Sequence, residues 1–235
     1  MTLEAVVSRD PLAGSSWSQP ATVAGFARSS PNEVLLQFAR ARRARGGRAL
    51  LDLGCGAGRN AIPLAREGWA VLGTDLSWPM LGAAAGRVHA ERLSERVSLA
   101  LAPMDAIPAR EGTFDLVVAH GIWNLARSAA EFRRAVAEAA RVARPDAGLF
   151  VFTFSRNTLP PDARPVEGEP FVFTQFSGQP QCFLTDAQLV GELGALGFVP
   201  DAAVPLTEYN RRAPGELHAG GPPVIYEAAF RKIAG

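Results

Sequence analysis

Leu51-Asp52-Leu53-Gly54-Cys55-Gly56-Ala57-Gly58-Arg59-Asn60, followed by Val71-Leu72-Gly73-Thr74-Asp75-Leu76-Ser77, is the stretch on which the fold turns. An apolar run from Ala49 to Leu53 enters a loop with glycines at every second position. A helical segment follows, and then a second apolar run that stops at Asp75. The pattern predicts a β-α-β unit with an open loop at one strand tip and a carboxylate at the next. Such a unit binds a nucleoside-bearing cofactor at the carboxyl edge of a parallel sheet.

The glycine spacing narrows the cofactor. The dinucleotide fingerprint is G-x-G-x-x-G. Here Gly54, Gly56 and Gly58 form G-x-G-x-G, and Arg59 stands where the third glycine of the dinucleotide loop would fall. A loop of this kind lets backbone approach a ligand without Cβ clashes. Asp75 at the strand tip suits a ribose diol, two donors for one carboxylate; its other reading is a helix cap, for which Ser77 competes. Pro63 is tolerated in a helix only near its start, which predicts Asn60 as N-cap and an end near Gly68.

On these residues, over about Ala49 to Ser155, the chain resembles the class I S-adenosylmethionine (SAM)-dependent methyltransferases, whose first motif reads D-x-G-x-G-x-G. The Gly58-Arg59-Asn60 run is loosely similar to tellurite-resistance and thiopurine-type methyltransferases. The resemblance implies a Rossmann-like, doubly wound α/β fold with a seven-stranded sheet of order 3-2-1-4-5-7-6, strand 7 antiparallel. It also implies that SAM is the cofactor and S-adenosylhomocysteine the product. The cofactor residues would be Asp52, Gly54, Cys55, Gly56, Gly58, Asn60, Asp75, Leu76, Met80, Met104, Asp105, Ala106 and His120. Asp52 would lie near the methionine amino group; its other reading is a carboxylate that satisfies loop amides. Asp105 would accept from the adenine amine, with Met104 or Ala106 lining the ring; the other reading is a solvated turn residue.

Phe114 to His120 is a nearly continuous apolar run, expected of a strand buried on both faces, and it delivers His120, Gly121, Ile122 and Trp123 to the same edge. The Asn/Asp-Pro-Pro-aromatic motif of one amino-methylating branch is absent from this position. His120 is the candidate acid–base or orienting residue, the alternative being a cap or a packing group. Trp123 would wall the acceptor or offer a cation–π surface, or simply pack. Trp17, Arg156 and Gln175 complete the candidate acceptor contacts, with Asn157 a further polar neighbour.

Residues 1–30 are expected to be a lid or a tail, and 31–235 the catalytic domain. Within it, 156–184 is a breaker-rich insertion whose halves, 171–176 and 181–184, form a hairpin that caps the acceptor site. Helices are predicted from Pro31, from Ser77 to about Ala90, from Ser128 to Ala143 and from Thr185 to Leu193. Further strands are expected over 97–101, 148–155, 197–206 and 223–231, with 208–221 a Gly/Pro/Arg-rich loop.

The 235 residues suit one α/β domain with an added cap. Net charge of +1 gives no case for nucleic acid or a membrane surface. The Arg40, Arg42, Arg43, Arg45 and Arg48 cluster reads as a solvated helix end before it reads as an RNA contact. Two dispersed cysteines and no secretory leader point to the cytoplasm. No apolar run approaches the ~18 residues of a membrane span. Histidines at 89, 120 and 218 have no metal-ligand spacing. The expected protein is therefore a cytoplasmic monomer or homodimer that methylates a small molecule. The alternatives are a SAM-binding protein without turnover and an NAD(P)-dependent oxidoreductase, the latter disfavoured by Arg59 and by the few Tyr and Lys residues.

Overall fold

The computed structural model describes residues 10–210 and 222–233. Ten strands occur among them: β1 Ala49–Leu53, β2 Ala70–Asp75, β3 Val97–Leu101, β4 Phe114–His120, β5 Ala143–Phe154, β6 Val172–Phe173, β7 Gln181–Cys182, β8 Phe198–Pro200, β9 Thr207–Tyr209 and β10 Ile225–Lys232. The helices are α1 Pro20–Arg28, α2 Glu33–Ala44, α3 Ala61–Arg66, α4 Trp78–Ala90, α5 Ala129–Val142 and α6 Asp186–Gly194. The main sheet runs β3-β2-β1-β4-β5-β10-β8, with β10 antiparallel to β5 and to β8. With the hairpin β6–β7 and the short β9 set aside, this is the 3-2-1-4-5-7-6 order.

The helix starts follow from side chains. Asn32, Ser77, Ser128 and Thr185 each accept a backbone N–H from the first turn of α2, α4, α5 and α6, and Thr185 forms a full capping box with Gln188. The parallel strands bury both faces. Leu51, Leu53, Val117 and Ala119 face α5, α6 and the hairpin, among Phe132, Val136 and Leu189. Leu50, Leu116, Val118 and Phe150 face the other way, onto Leu35, Phe38, Ile62 and Trp69 of α2, α3 and the turn after it. Asp52 and His120 share the parity of this second set, so both point to the α2–α3 face at the carboxyl edge.

The chain departs from its sequence pattern in three places. The expected sixth strand, 197–206, is broken: β8 stops at Pro200, Asp201 folds a turn by accepting Ala203 N–H at 2.9 Å, Asp201 and Val204 both bond the Ala229 backbone around that turn, and a regular ladder to β10 returns at Thr207. Pro200 and Pro205 have no N–H for the ladder, which favours the break. Glu208, expected in the loop, consequently lies in β9, and the rest of that loop, 211–221 with His218, is outside the described residues. β5 begins five residues early, at Ala143, which pairs with Phe114 before the register shifts. Finally, Arg42 is not a solvated helix end. It is buried, and its guanidinium donates to the Asp146 carbonyl.

Candidate active site

The loop after β1 takes the conformation that its glycines permit. Gly54, Gly56 and Gly58 have φ of 64°, 54° and 79°, in the left-handed region. A Cβ on Gly54 would stand 2.7 Å from Ile122 Cδ1, so the loop also sits tight against the segment after β4. Cys55 is buried, and its amide continues the ladder to the Thr74 carbonyl at 2.9 Å. Asp75, at the tip of β2, accepts Gly56 N–H at 2.9 Å through Oδ2 and Ser77 N–H at 2.8 Å through Oδ1. Ser77, not Asp75, caps α4, by accepting from Met80 N–H. Burial raises the Asp75 pKa, against the opposing pull of the Ser77 and Gly56 amides.

The N-terminal segment lies over this loop. Trp17 packs edge-on against Phe26 at 5.8 Å, and its carbonyl accepts from Ser77 Oγ at 3.1 Å. A Cβ on Gly56 would meet Phe26 Cδ1 at 3.8 Å and Met80 Sδ at 3.9 Å. Asp10 accepts the Trp78 N–H at 3.1 Å. Leu76 is half-buried beside these residues in sequence.

Asp52 is buried, and its Oδ2 has no hydrogen-bond partner. Burial is the main cause that lifts its pKa to about 7; Arg59 opposes that shift and Asp75 adds to it. Asn60 is the N-cap residue of α3, as expected, but its side chain makes no capping hydrogen bond. Its Oδ1 is turned instead to the Asn32 N–H, 3.1 Å away, and ties the loop to the start of α2.

His120 lies flat on Phe152, ring centroids 4.1 Å apart and 8° between planes. One terminal nitrogen of Arg59 is 2.8 Å from Nδ1 and 3.1 Å from Nε2. A donor in line with one ring nitrogen cannot come this near to the other, so the guanidinium spans the ring. Asn32 Nδ2 approaches Nε2 at 3.2 Å; an amide N–H only donates, so Nε2 accepts. Burial first and Arg59 second lower the His120 pKa to about 3. The lowered pKa keeps the imidazole neutral at physiological pH in the free protein, which favours the orienting alternative over the acid–base one.

The expected acceptor contacts fare differently. Trp123 is completely buried, in a 3-10 turn edge-on to Phe132 at 6.0 Å, and belongs to the core. Arg156 donates to the carbonyls of Leu159, Pro160, Pro161 and Ala163 and lies 4.8 Å from the Phe173 ring centroid. Both of its terminal nitrogens are spent on clamping the insertion. Gln175 likewise bonds Arg164 O and Thr174 N, and Asn157 bonds Glu208. Asp105 is held by Arg134 at 3.0 Å, beside half-buried Met104 and exposed Ala106.

Sequence reading missed a polar group on the α2 face. Asn32 Nδ2 donates to Glu227 Oε2 at 2.7 Å, and the Tyr209 hydroxyl donates to Glu227 Oε1. The one available signal was a glutamate inside the apolar run Val224-Ile-Tyr-Glu227-Ala-Ala-Phe230. Such a buried polar group needs partners, and these lie 195 and 18 residues away.

Residues 50–146 match the family model of the methyltransferase domain. A ubiquinone/menaquinone biosynthesis C-methyltransferase of Acidiphilium cryptum is 36% identical over 111 residues, 46% of this chain and 43% of that protein. The demethylmenaquinone methyltransferase of Lactiplantibacillus plantarum is 36% identical over 115 residues, 47% of each chain. The norajmaline N-methyltransferase of Rauvolfia serpentina is 31% identical over 115 residues, 48% of this chain and 38% of that one. The chain thus spans less than half the length of each of these relatives. Among solved structures, the 1,6-didemethyltoxoflavin-N1-methyltransferase of Burkholderia thailandensis, with bound S-adenosylhomocysteine, superposes with a TM-score of 0.63 at 20% identity, covering 86% of this chain and 80% of that one. The [4+2]-cyclase SpnF superposes with a TM-score of 0.64 at 21% identity, covering 89% and 85%. These likenesses show the fold; chemistry has to be argued from the site.

Proposed function

We propose that this chain, which carries a class I SAM-dependent methyltransferase domain at residues 50–146, transfers the methyl group of SAM to a nucleophilic atom of a small molecule. The observation that carries the reading is the unpartnered, buried Oδ2 of Asp52 beside a loop of left-handed glycines and a strand-tip carboxylate. A buried carboxylate oxygen without a donor is costly, and a cofactor ammonium group would supply the donor. Asp75 is suited to the ribose hydroxyls, Gly54 and Gly56 to close backbone approach, and Met80 and Met104 to apolar contact.

SAM supplies an activated methyl group on a sulfonium. In-line displacement forms the bond from acceptor to carbon and breaks the bond from carbon to sulfur, whose electron pair stays on the neutral thioether; any acceptor proton leaves to solvent. The protein's share is alignment and exclusion of water. The neutral His120 ring, fixed between Phe152 and Arg59, serves as wall and orienting group. The segment over 10–28 acts as the lid, and 156–184 caps the α5–α6 side of the same edge, shaped by Arg156 rather than offering that side chain to the acceptor. The unpaired Cys55 and Cys182 suit a reducing cytoplasm, and we take the active unit to be a monomer or homodimer.

Calorimetric titration with S-adenosylhomocysteine, with NAD and NADP as controls, tests the cofactor. Binding of the first alone, then its release from SAM in the presence of an acceptor panel, is the expected result. Nicotinamide binding would overturn the reading, and tight binding without turnover on any acceptor would favour a SAM-binding protein.

The titration has a pH signature. The Asp52 pKa, about 7 in the free protein, makes the carboxyl largely protonated below that value, so it must lose a proton to pair with an ammonium group. Affinity should therefore rise with pH through 7, by up to about tenfold per unit below it, with proton release seen in buffers of different ionisation enthalpy. The sign for folding is opposite: a raised carboxyl pKa stabilises at low pH, and that contribution is lost as pH rises through 7. A flat pH profile would remove Asp52 from the ammonium site.

A further inference from the structure

A cavity of about 300 Å³ lies between α2 and the segment that joins β8 to β9. Val34, Phe38 and Ala41, one face of α2, form one wall, and Val204 and Pro205 form the other. Glu227 and Tyr209 also line it. The volume is at the small end of ligand pockets, about that of a fused ring.

Glu227 is only 2% exposed. Among the described residues its carboxylate has neutral donors alone, Asn32 and Tyr209, and no arginine or lysine within salt-bridge distance. Buried carboxylates are ordinarily paired with a cation. No described residue supplies a countercharge on the cavity side, where Gln37 and Thr207 are the other polar residues among mainly apolar ones. Tyr209, one of its two donors, is 40% exposed and sits on the three-residue strand β9.

The position ties this cavity to the methyl-transfer edge. Glu227, Phe152 and His120 stand in register on β10, β5 and β4. Two strand spacings, about 10 Å, separate the outer pair, and Asn32 Nδ2 spans the gap, 2.7 Å from Glu227 and 3.2 Å from His120.

We propose that this cavity is the anchoring subsite for the methyl acceptor, and that the acceptor is an apolar, ring-sized amine whose ammonium group pairs with Glu227. The proposal rests on the methyltransferase reading for the word acceptor, but the amine site itself does not need it. Charge complementarity selects the class: a carboxylate in a low-dielectric wall attracts a cation and repels an anion of the same shape.

The test uses tryptamine and indole-3-propionate, one ring system with opposite charge, titrated into the whole protein after S-adenosylhomocysteine. The homocysteine compound is titrated first in every variant, so that failure of the cofactor reading is recorded separately. Tryptamine should bind at least about tenfold more tightly than indole-3-propionate. Glu227→Gln should remove that preference. Val34→Trp, which fills the cavity and keeps the carboxylate, should abolish tryptamine binding. Should Glu227→Gln fail to fold, Tyr209→Phe decides: it frees a carboxylate oxygen and should tighten tryptamine by about threefold. Equal binding of the two probes, no tryptamine binding, tryptamine binding that survives either Glu227→Gln or Val34→Trp, or weaker binding in Tyr209→Phe would each overturn the proposal.

Discussion

Asp75→Ala is expected to weaken S-adenosylhomocysteine binding by at least about 3 kcal/mol, more than a hundredfold in Kd. Two contributions add. In the proposed site the carboxylate would accept both ribose hydroxyls, and charge-assisted hydrogen bonds are worth about 1.5–3 kcal/mol each. The same group accepts from Gly56 and Ser77 N–H, so its loss also releases the loop that the cofactor needs in one shape. Ser77→Ala is the control. It removes the α4 cap next door, which should cost about 1 kcal/mol of stability and far less affinity. Calorimetric titration of both variants separates the roles. Unchanged affinity in Asp75→Ala would take Asp75 out of the site.

That pair of residues also illustrates what could be read from the chain before its structure. The glycine loop, the strand tips and the starts of α4, α5 and α6 are local: residue type and spacing decide them within a few positions. The sheet order follows from one recognisable β-α-β unit and the alternation after it, and the antiparallel β10 came with the family resemblance. Where the reading lost ground, the deciding partner was distant or was backbone. Arg156 looked like a free acceptor contact because its four carbonyl partners, from Leu159 to Ala163, belong to a breaker-rich loop without periodicity. The sixth strand looked continuous because its apolar residues alternate, yet two prolines and the Asp201 turn interrupt the ladder.

His120 shows a third kind of loss. Its place at the end of β4 was legible, and so was its proximity to the cofactor loop. Its protonation was not, because the lowered pKa depends on burial and on Arg59, 61 residues earlier. In the sequence Arg59 reads as a residue that breaks the dinucleotide spacing and as part of the Gly58–Asn60 run. Its second role, bracing the imidazole that stacks on Phe152, appears only when β1, β4 and β5 are assembled. The same holds for Glu227 and Asn32, which meet across almost the whole chain.

Trp123→Ala is expected to destabilise the fold by about 3–5 kcal/mol, the range for deleting a buried large aromatic. Trp123 is fully enclosed, edge-on to Phe132, which in turn packs edge-on against Phe171 at 5.3 Å and so links β4, α5 and the insertion. For a chain of this length that loss should lower Tm by about 6–20 °C in thermal denaturation. A wall of an acceptor pocket would behave otherwise: KM would rise while Tm hardly moved. Trp123→Phe refines the distinction. The indole Nε1 is buried without an acceptor, so phenylalanine removes an unsatisfied donor while keeping most of the ring contact, and the cost should fall below about 2 kcal/mol. A small Tm change in the alanine variant, or a phenylalanine variant as unstable as the alanine one, would show that Trp123 is not the core residue its packing describes.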